Sequence, residues 1–139
     1  MSFEKISNQD HKVIHERSCM ILYSFSQQEV RQIQNAARIS GIREFIMVTP
    51  QQAGTTVRAI LDNEITSGEE GCKEKAIIFN HIPSMRMNAF IEALKKCRIK
   101  RPLMAVVTET SINWKLDELI SNLIEERRAV SAGQFAEHE

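Results

Sequence analysis

The sequence predicts an α/β domain made of two copies of a βαβα unit. Three observations support this prediction. Short apolar runs alternate with stretches of helical period, the apolar positions of the first half recur in the second half, and 139 residues suffice for one core. We expect a polar arm over 1–18, one domain over 19–128 (first copy 19–65, linker 66–75, second copy 76–128) and a tail over 129–139.

The duplication is visible when the two halves are compared at a nearly constant offset. An offset of 57 (78 minus 21) matches Ile21/Ile78, Ala36/Ala93 and Ile42/Ile99. A two-residue insertion in the second copy then raises the offset to 59 (107 minus 48). This offset matches Val48/Val107, Thr49/Thr108, Asn63/Asn122 and Ile65/Ile124. The shared apolar phase also predicts that Val57/Leu116 and Ile60/Leu119 occupy equivalent buried helix positions.

In the first copy, "CMILYSF" (19–25) has the apolar, aromatic character of a strand covered on both faces. Ser26 is a helix-start residue before "QQEVRQIQNAARIS", and Gly41 is placed where a helix can end in a left-handed residue. "FIMV" (45–48) is the second predicted strand. A helix over roughly 53–65 completes this copy.

In the second copy, "KAIIFNHI" (75–82) is the first predicted strand, and Pro83-Ser84 introduces the helix "MRMNAFIEALKK". "LMAVV" (103–107) is the second strand. The last predicted helix spans 113–128, with Asn113 as its N-cap.

Two topologies satisfy this order of elements. We favour a four-stranded parallel sheet of order 2-1-3-4 with helices on both faces, because doubly wound sheets are common. The alternative is a sheet in which the two copies meet about a pseudo-twofold axis and the two central strands are antiparallel.

The second copy resembles a bacterial family known only as domain of unknown function 3783. The resemblance covers about residues 76–126, and it is strongest in "AVVTETSINWKLDELISNLIEE". It is carried by Thr108, Asn113, Trp114, Leu116 and Leu119. The resemblance implies no activity.

The order of elements also resembles a response-regulator receiver domain, which has a flavodoxin-like fold. This resemblance implies that Asn80 stands where the phosphorylated aspartate would be, and Thr108 where the switch hydroxyl would be. Ser24 and Phe25 stand where an acidic pair would hold Mg²⁺. Because that chemistry needs carboxylates, we expect no phosphotransfer.

In a parallel sheet, the carboxyl ends of the strands gather polar side chains at one edge. We therefore expect candidate binding residues there, and most of them should cap helices or close turns. Trp114 should pack at the start of its helix, or serve as a protein contact if it is exposed. The candidate binding residues are Ser24, Asn80, His81, Thr108, Asn113 and Trp114.

Several function classes are excluded on the sequence. His11 and His15 have helical spacing but no third ligand, so we expect no metal site and no cofactor. Acids and bases balance at 18 each, and "KKCRIKR" (95–101) is interpreted as a charged helix end, so we expect no nucleic-acid partner. No apolar run approaches the roughly 20 residues of a membrane span. Three cysteines without pairing predict a reduced, cytoplasmic protein.

The function expected from these features is a non-catalytic interaction or regulatory module, receiver-like in shape but without phosphorylation residues. Its partner would be another protein or a second copy of the chain. The alternative is a small-ligand binder or enzyme that uses the Asn80–His81–Thr108 strand ends.

Overall fold

The computed structural model describes residues 13–97 and 99–138, with side chains described as far as residue 130. The described elements follow the predicted order. They are β1 (Cys19–Tyr23), α1 (Gln27–Ile39), β2 (Phe45–Val48), a 3₁₀ turn (Pro50–Gln52), α2 (Val57–Leu61), β3 (Ala76–Asn80), α3 (Ser84–Lys95), β4 (Leu103–Val106), a second 3₁₀ turn (Ser111–Asn113) and α4 (Leu116–His138).

The four strands form one sheet in the predicted order β2-β1-β3-β4. β1 pairs with β2 in parallel and β3 pairs with β4 in parallel, but the central strands β1 and β3 are antiparallel. The favoured fully parallel sheet is therefore wrong, and the alternative with antiparallel central strands is correct. Apolar runs covered on both faces carry no signal of strand direction, so the sequence pattern fits both arrangements. The receiver-like resemblance implied parallel central strands and is not confirmed.

The central pair places the two copies about a pseudo-twofold axis. Ile21 is directly opposite Ile78, and these residues are equivalent at offset 57. On either side of them, Cys19 faces Asn80 and Tyr23 faces Ala76, which are again equivalent pairs exchanged between the copies. The axis thus passes between Ile21 and Ile78.

Helices cover both faces of the sheet, as predicted. One face packs against α1 and α3 through Ile33, Ala36, Ala37, Phe90 and Leu94. The opposite face packs against α2 and α4, where Val57, Ile60, Leu116 and Leu119 are all 5% exposed or less. The predicted equivalence of these four positions is confirmed, because each copy supplies the same two buried turns of helix.

Helix α1 begins and ends where its sequence signals indicate. The Ser26 hydroxyl accepts from the Glu29 N–H, and the Glu29 carboxylate accepts from the Ser26 N–H, which together form a capping box. Gly41 has φ 85°, and the Ile42 N–H donates to the Ala37 carbonyl at 2.8 Å. This left-handed residue satisfies the last carbonyls of the helix.

The second helix of each copy differs from its predicted bounds. α2 has only five residues, because a turn over 53–55 and the cap Thr56 occupy the start of the predicted 53–65 segment and the helix ends at the C-cap Asp62. α4 begins at Leu116 and continues to His138, so Asn113 is not its N-cap. The two helix starts meet at the axis, where Val57 N–H donates to Trp114 O and Leu116 N–H donates to Thr55 O, both at 2.9 Å.

Candidate functional site

The antiparallel centre divides the predicted polar edge into two. β1 and β2 end at one edge of the sheet, with Ser24 and Thr49, whereas β3 and β4 end at the opposite edge, with His81 and Thr108. The candidate residues therefore do not gather at one place. Each edge instead has its own groove, and the two grooves are related by the pseudo-twofold axis.

The last residue of each central strand holds the segment that leads into the other copy. The Tyr23 hydroxyl donates to the Cys72 carbonyl at 2.5 Å, and the Asn80 amide donates to the His15 carbonyl at 3.1 Å. The two donors are equivalent positions at the offset of 57, and so are the two acceptors. The contact that stabilises the first copy against the linker is thus repeated between the second copy and residues 15–17.

The next residues repeat the same relationship. Ser24 has φ 68° and its hydroxyl donates to the Lys73 carbonyl at 3.3 Å. His81 has φ 54° and its Nδ1 lies 3.1 Å from the Glu16 carbonyl. Both non-glycine residues adopt the left-handed conformation, which turns the chain from the strand into the following helix. Ser24 and His81 therefore serve as turn residues.

The larger groove, here called the Asn80 groove, has a volume of about 650 Å³. Asn80 is only 3% exposed, and its Nδ2 also donates to the Arg17 carbonyl at 2.6 Å. Both amide hydrogens are thus held by the segment before β1. The groove is lined by Val13, Ile14, His15, Ser18, Asn80, His81, Ile82, Pro83, Ser84, Met87, Val106 and Val107.

Hydrogen-bond partners assign the tautomers of the two histidines in this groove. His15 Nδ1 accepts from the Arg17 N–H, so its Nε2 carries the proton that is shared with Asp62 at 2.8 Å. His81 Nδ1 faces a carbonyl and must donate, so Nε2 of neutral His81 is a lone-pair acceptor. Of the two rings, only His81 offers a free acceptor nitrogen to a bound molecule.

The remaining candidates lie away from the Asn80 groove. Thr108 and Ser111 bond each other through hydroxyls and backbone N–H groups, which closes the turn after β4. Asn113 Oδ1 accepts from Arg58 Nη2 at 3.2 Å. Trp114 is half-buried and packs against the core shared by α2 and α4. The contacts of Asn113 and Trp114 join the two copies, whereas those of Thr108 lie within the second copy. Of the six candidates, only Asn80 and His81 share a groove.

The smaller groove, here called the Ser24 groove, has a volume of about 380 Å³. An ion pair of 2.5 Å between Glu29 and Lys75 lies within it. The hydrogen bond from Lys75 holds the pKa of the Glu29 carboxyl below its ordinary value. Lining residues also include Ser24, Phe25, Val30, Met47, Thr49 and Pro50.

Apart from Asn80 and His81, the residues of the Asn80 groove are not among the candidates predicted from the sequence, and they include the segment before β1. Val13, Ile14 and His15 were assigned to a polar arm, yet they form one wall of the Asn80 groove. No identity between residues 15–18 and 72–75 signals their equivalence. Only the contacts with Tyr23 and Asn80 reveal it.

The described part of the chain offers little basis for metal or thiol chemistry. No group of three His, Cys, Asp or Glu side chains there is arranged to hold a metal ion. His11 lies outside the described residues. Burial raises the pKa of the Cys19 thiol to about 11, and burial likewise raises the pKa of Cys72. Thiols with raised pKa values are poor nucleophiles at neutral pH.

None of the helices in the described region combines the length and the apolar character that a membrane span requires.

The second copy matches a family model. Residues 75–130 match the family model described as Domain of unknown function (DUF3783). This confirms the family resemblance of the second copy. No curated protein and no solved structure matches the chain.

Proposed function

We propose that this chain is a non-catalytic interaction module, and that the Asn80 groove binds an apolar segment of a protein partner. The observation that carries the proposal is the apolar surface of this groove. Val13 and Val106 are 47% and 48% exposed, and they share the groove with Ile82, Pro83 and Met87. Exposed apolar side chains that line a concave surface are typical of protein contact sites.

The polar groups of the groove favour binding over catalysis. Asn80 is buried and donates to two backbone carbonyls, and His15 is held between Asp62 and the Arg17 N–H. An amide at Asn80 also lacks the carboxylate oxygen that a receiver phosphorylates. These side chains hold the fold, so they are not available to substrate.

The twofold-related groove offers a natural comparison. Val13 and Ile14 correspond at offset 57 to Glu70 and Gly71, and the Ser24 groove contains the Glu29–Lys75 ion pair. Most other apolar residues of the Asn80 groove have apolar counterparts in the Ser24 groove, such as Met47 for Val106, so the difference is confined to the wall that Val13 and Ile14 form. A duplicated fold does not require that difference, which supports a functional origin.

The cytoplasm is the proposed compartment, because Cys19, Cys72 and Cys97 are all free thiols.

A second candidate function rests on His81. Its Nε2 is a lone-pair acceptor at the rim of the groove, and such a nitrogen can act as a general base or accept a hydrogen bond from a small ligand. The Asn80–His81 strand end would then be a ligand site. This candidate would be favoured if His81→Gln abolished ligand binding or activity and Val106→Asp left both unchanged.

Site-specific photocrosslinking tests the interaction module. A benzophenone amino acid at Val106 should give a discrete covalent adduct in cells, whereas the same residue at Met47, the equivalent exposed position of the Ser24 groove, should not. The partner identified from the adduct is then titrated with purified protein. Val106→Asp should weaken its binding at least about tenfold, since it places a charge in an apolar contact.

Met47→Asp is the matched control and should leave the affinity unchanged. An adduct of twice the chain mass would make the partner a second copy. The absence of an adduct at Val106, or equal adducts at both positions, would contradict the proposed groove.

A further inference from the structure

A third groove, which shares Lys75 with the Ser24 groove, is strongly basic. Its volume is about 260 Å³, and three chain segments meet there: the residues before β3, the residues before β4, and helix α4. We call it the basic groove. It is lined by Lys73, Glu74, Lys75, Lys100, Arg101, Pro102 and Arg127.

Of the five cations among the described residues of this groove, three have a carboxylate partner. Lys73 lies 3.5 Å from Glu70, Lys75 lies 2.5 Å from Glu29, and Arg127 lies 3.6 Å from Glu74. Lys100 and Arg101 have no carboxylate within 4.0 Å in the described part of the chain. The groove therefore has two positive charges in excess.

The corresponding place in the first copy balances its charge internally. Arg17, which is equivalent to Glu74 at offset 57, pairs with Glu44 at 3.0 Å and donates to the Leu61 carbonyl and to Asn63. Its side chain is only 19% exposed. In the first copy, the Arg17–Glu44 ion pair thus balances its own charge at this position. The fold itself therefore does not require the excess positive charge of the second copy.

We infer that the basic groove binds a small ligand that carries phosphate groups. The two unpaired cations match the charge of a phosphate dianion, and the planar Arg101 guanidinium can donate two parallel hydrogen bonds to its oxygens. The ion pairs of Lys73 and Arg127 are exposed to solvent and therefore weak. Both cations can thus turn toward additional phosphate oxygens.

The size and lining of the groove restrict the ligand. A volume of about 260 Å³ is below the roughly 300–1,000 Å³ of most drug-sized ligand sites, and it suits a short phosphate chain. None of the described residues that line it is aromatic, so they offer no stacking surface to the bases of a single-stranded nucleic acid. A compact phosphate group fits both properties.

Inorganic pyrophosphate is the probe. Its affinity for the full chain is measured by isothermal titration calorimetry at low ionic strength. Arg101→Gln should weaken binding about tenfold, as expected for one charge-assisted contact, and Lys100→Gln/Arg101→Gln should abolish it. Arg43→Gln is the matched control, because Arg43 is an exposed arginine before the second strand of the first copy. It should change the affinity less than about twofold.

Further arms identify the source of the phosphate. Vesicles with phosphatidic acid, compared with phosphatidylcholine alone, test a lipid headgroup, and circular dichroism verifies that each variant is folded. Binding to these vesicles but not to pyrophosphate would assign the phosphate to a lipid. Undetectable binding of both probes, or equal loss in Arg43→Gln and Arg101→Gln, would overturn the inference. Tight binding of a duplex oligonucleotide without binding of pyrophosphate would replace it with a nucleic-acid surface.

The outcome is independent of the proposed partner site. Val106→Asp alters the Asn80 groove and should leave pyrophosphate binding unchanged, since Val106 does not line the basic groove.

Discussion

Ile21 and Ile78 face each other at the centre of the antiparallel β1–β3 pair, and they are the same position of the two copies. Both are completely buried. Each contact on one side of this pair therefore has a counterpart on the other side, as the Tyr23–Cys72 and Asn80–His15 hydrogen bonds illustrate. Differences between the copies, such as the apolar wall and the basic groove, stand out against this symmetry.

Trp114→Ala should destabilise the protein. The indole packs against the core of α2 and α4, so its removal takes apolar contacts away from that core. Because Trp114 is only half-buried, we expect a loss below the about 3–5 kcal/mol typical of a fully buried tryptophan. Thermal unfolding measures the effect. A melting temperature equal to that of the wild type would assign Trp114 to partner binding instead.

Asn80→Ala should loosen the segment before β1 selectively. The change removes the donor to the His15 and Arg17 carbonyls, at a cost toward the lower end of about 1–3 kcal/mol because these acceptors are only partly buried. Hydrogen exchange should accelerate at the Arg17 amide and remain slow at the Cys72 amide.

Tyr23→Phe is the matched variant for Asn80→Ala, because it removes the equivalent bond to the Cys72 carbonyl. It should accelerate exchange at Cys72 and spare Arg17. Identical exchange patterns in the two variants would show that the pseudo-twofold contacts do not act independently.

Acetyl phosphate with Mg²⁺ should leave the protein unmodified. Asn80 presents a buried amide that already donates to two carbonyls, and the twofold topology places Ser24 at the other edge of the sheet. The described residues that line the Asn80 groove include no Asp or Glu that could hold the metal. Intact-mass spectrometry checks this expectation. A gain of one phosphoryl group that disappears in Asn80→Ala would contradict it.

Stability should fall between about pH 9 and pH 11 through Cys19. Burial raises the pKa of the folded thiol to about 11 from an ordinary value of 9.0. The unfolded thiol therefore ionises first, so the contribution is complete below pH 9 and is lost as the pH rises toward 11. Urea unfolding at pH 8 and pH 10 measures the loss.

Cys19→Ala serves as the comparison for this pH dependence. The variant lacks the thiol, so its free energy of unfolding should fall less over the same interval, whatever its starting stability. Equal losses in the variant and the wild type would place the alkaline sensitivity elsewhere, for example at Tyr23, whose pKa burial also raises.

The sequence by itself determined the order of the elements, the strand order and the buried helix positions. The reason is that apolar periodicity depends on local geometry: a helix that packs on a sheet must repeat its apolar face every three to four residues. Val57 and Leu116 were identified in this way, and both are fully buried. The capping box at Ser26 and the left-handed Gly41 are equally local signals.

Only the tertiary structure decided the direction of the central pair and, with it, the location of every groove. Strands buried on both faces have the same apolar composition in parallel and antiparallel sheets, so Cys19–Tyr23 and Ala76–Asn80 fit either arrangement. The antiparallel pairing separates Ser24 from His81 and brings His15 to Asn80. It is likewise tertiary packing that joins Lys73, Arg101 and Arg127 in one groove, because these residues are remote in the chain and share no sequence period.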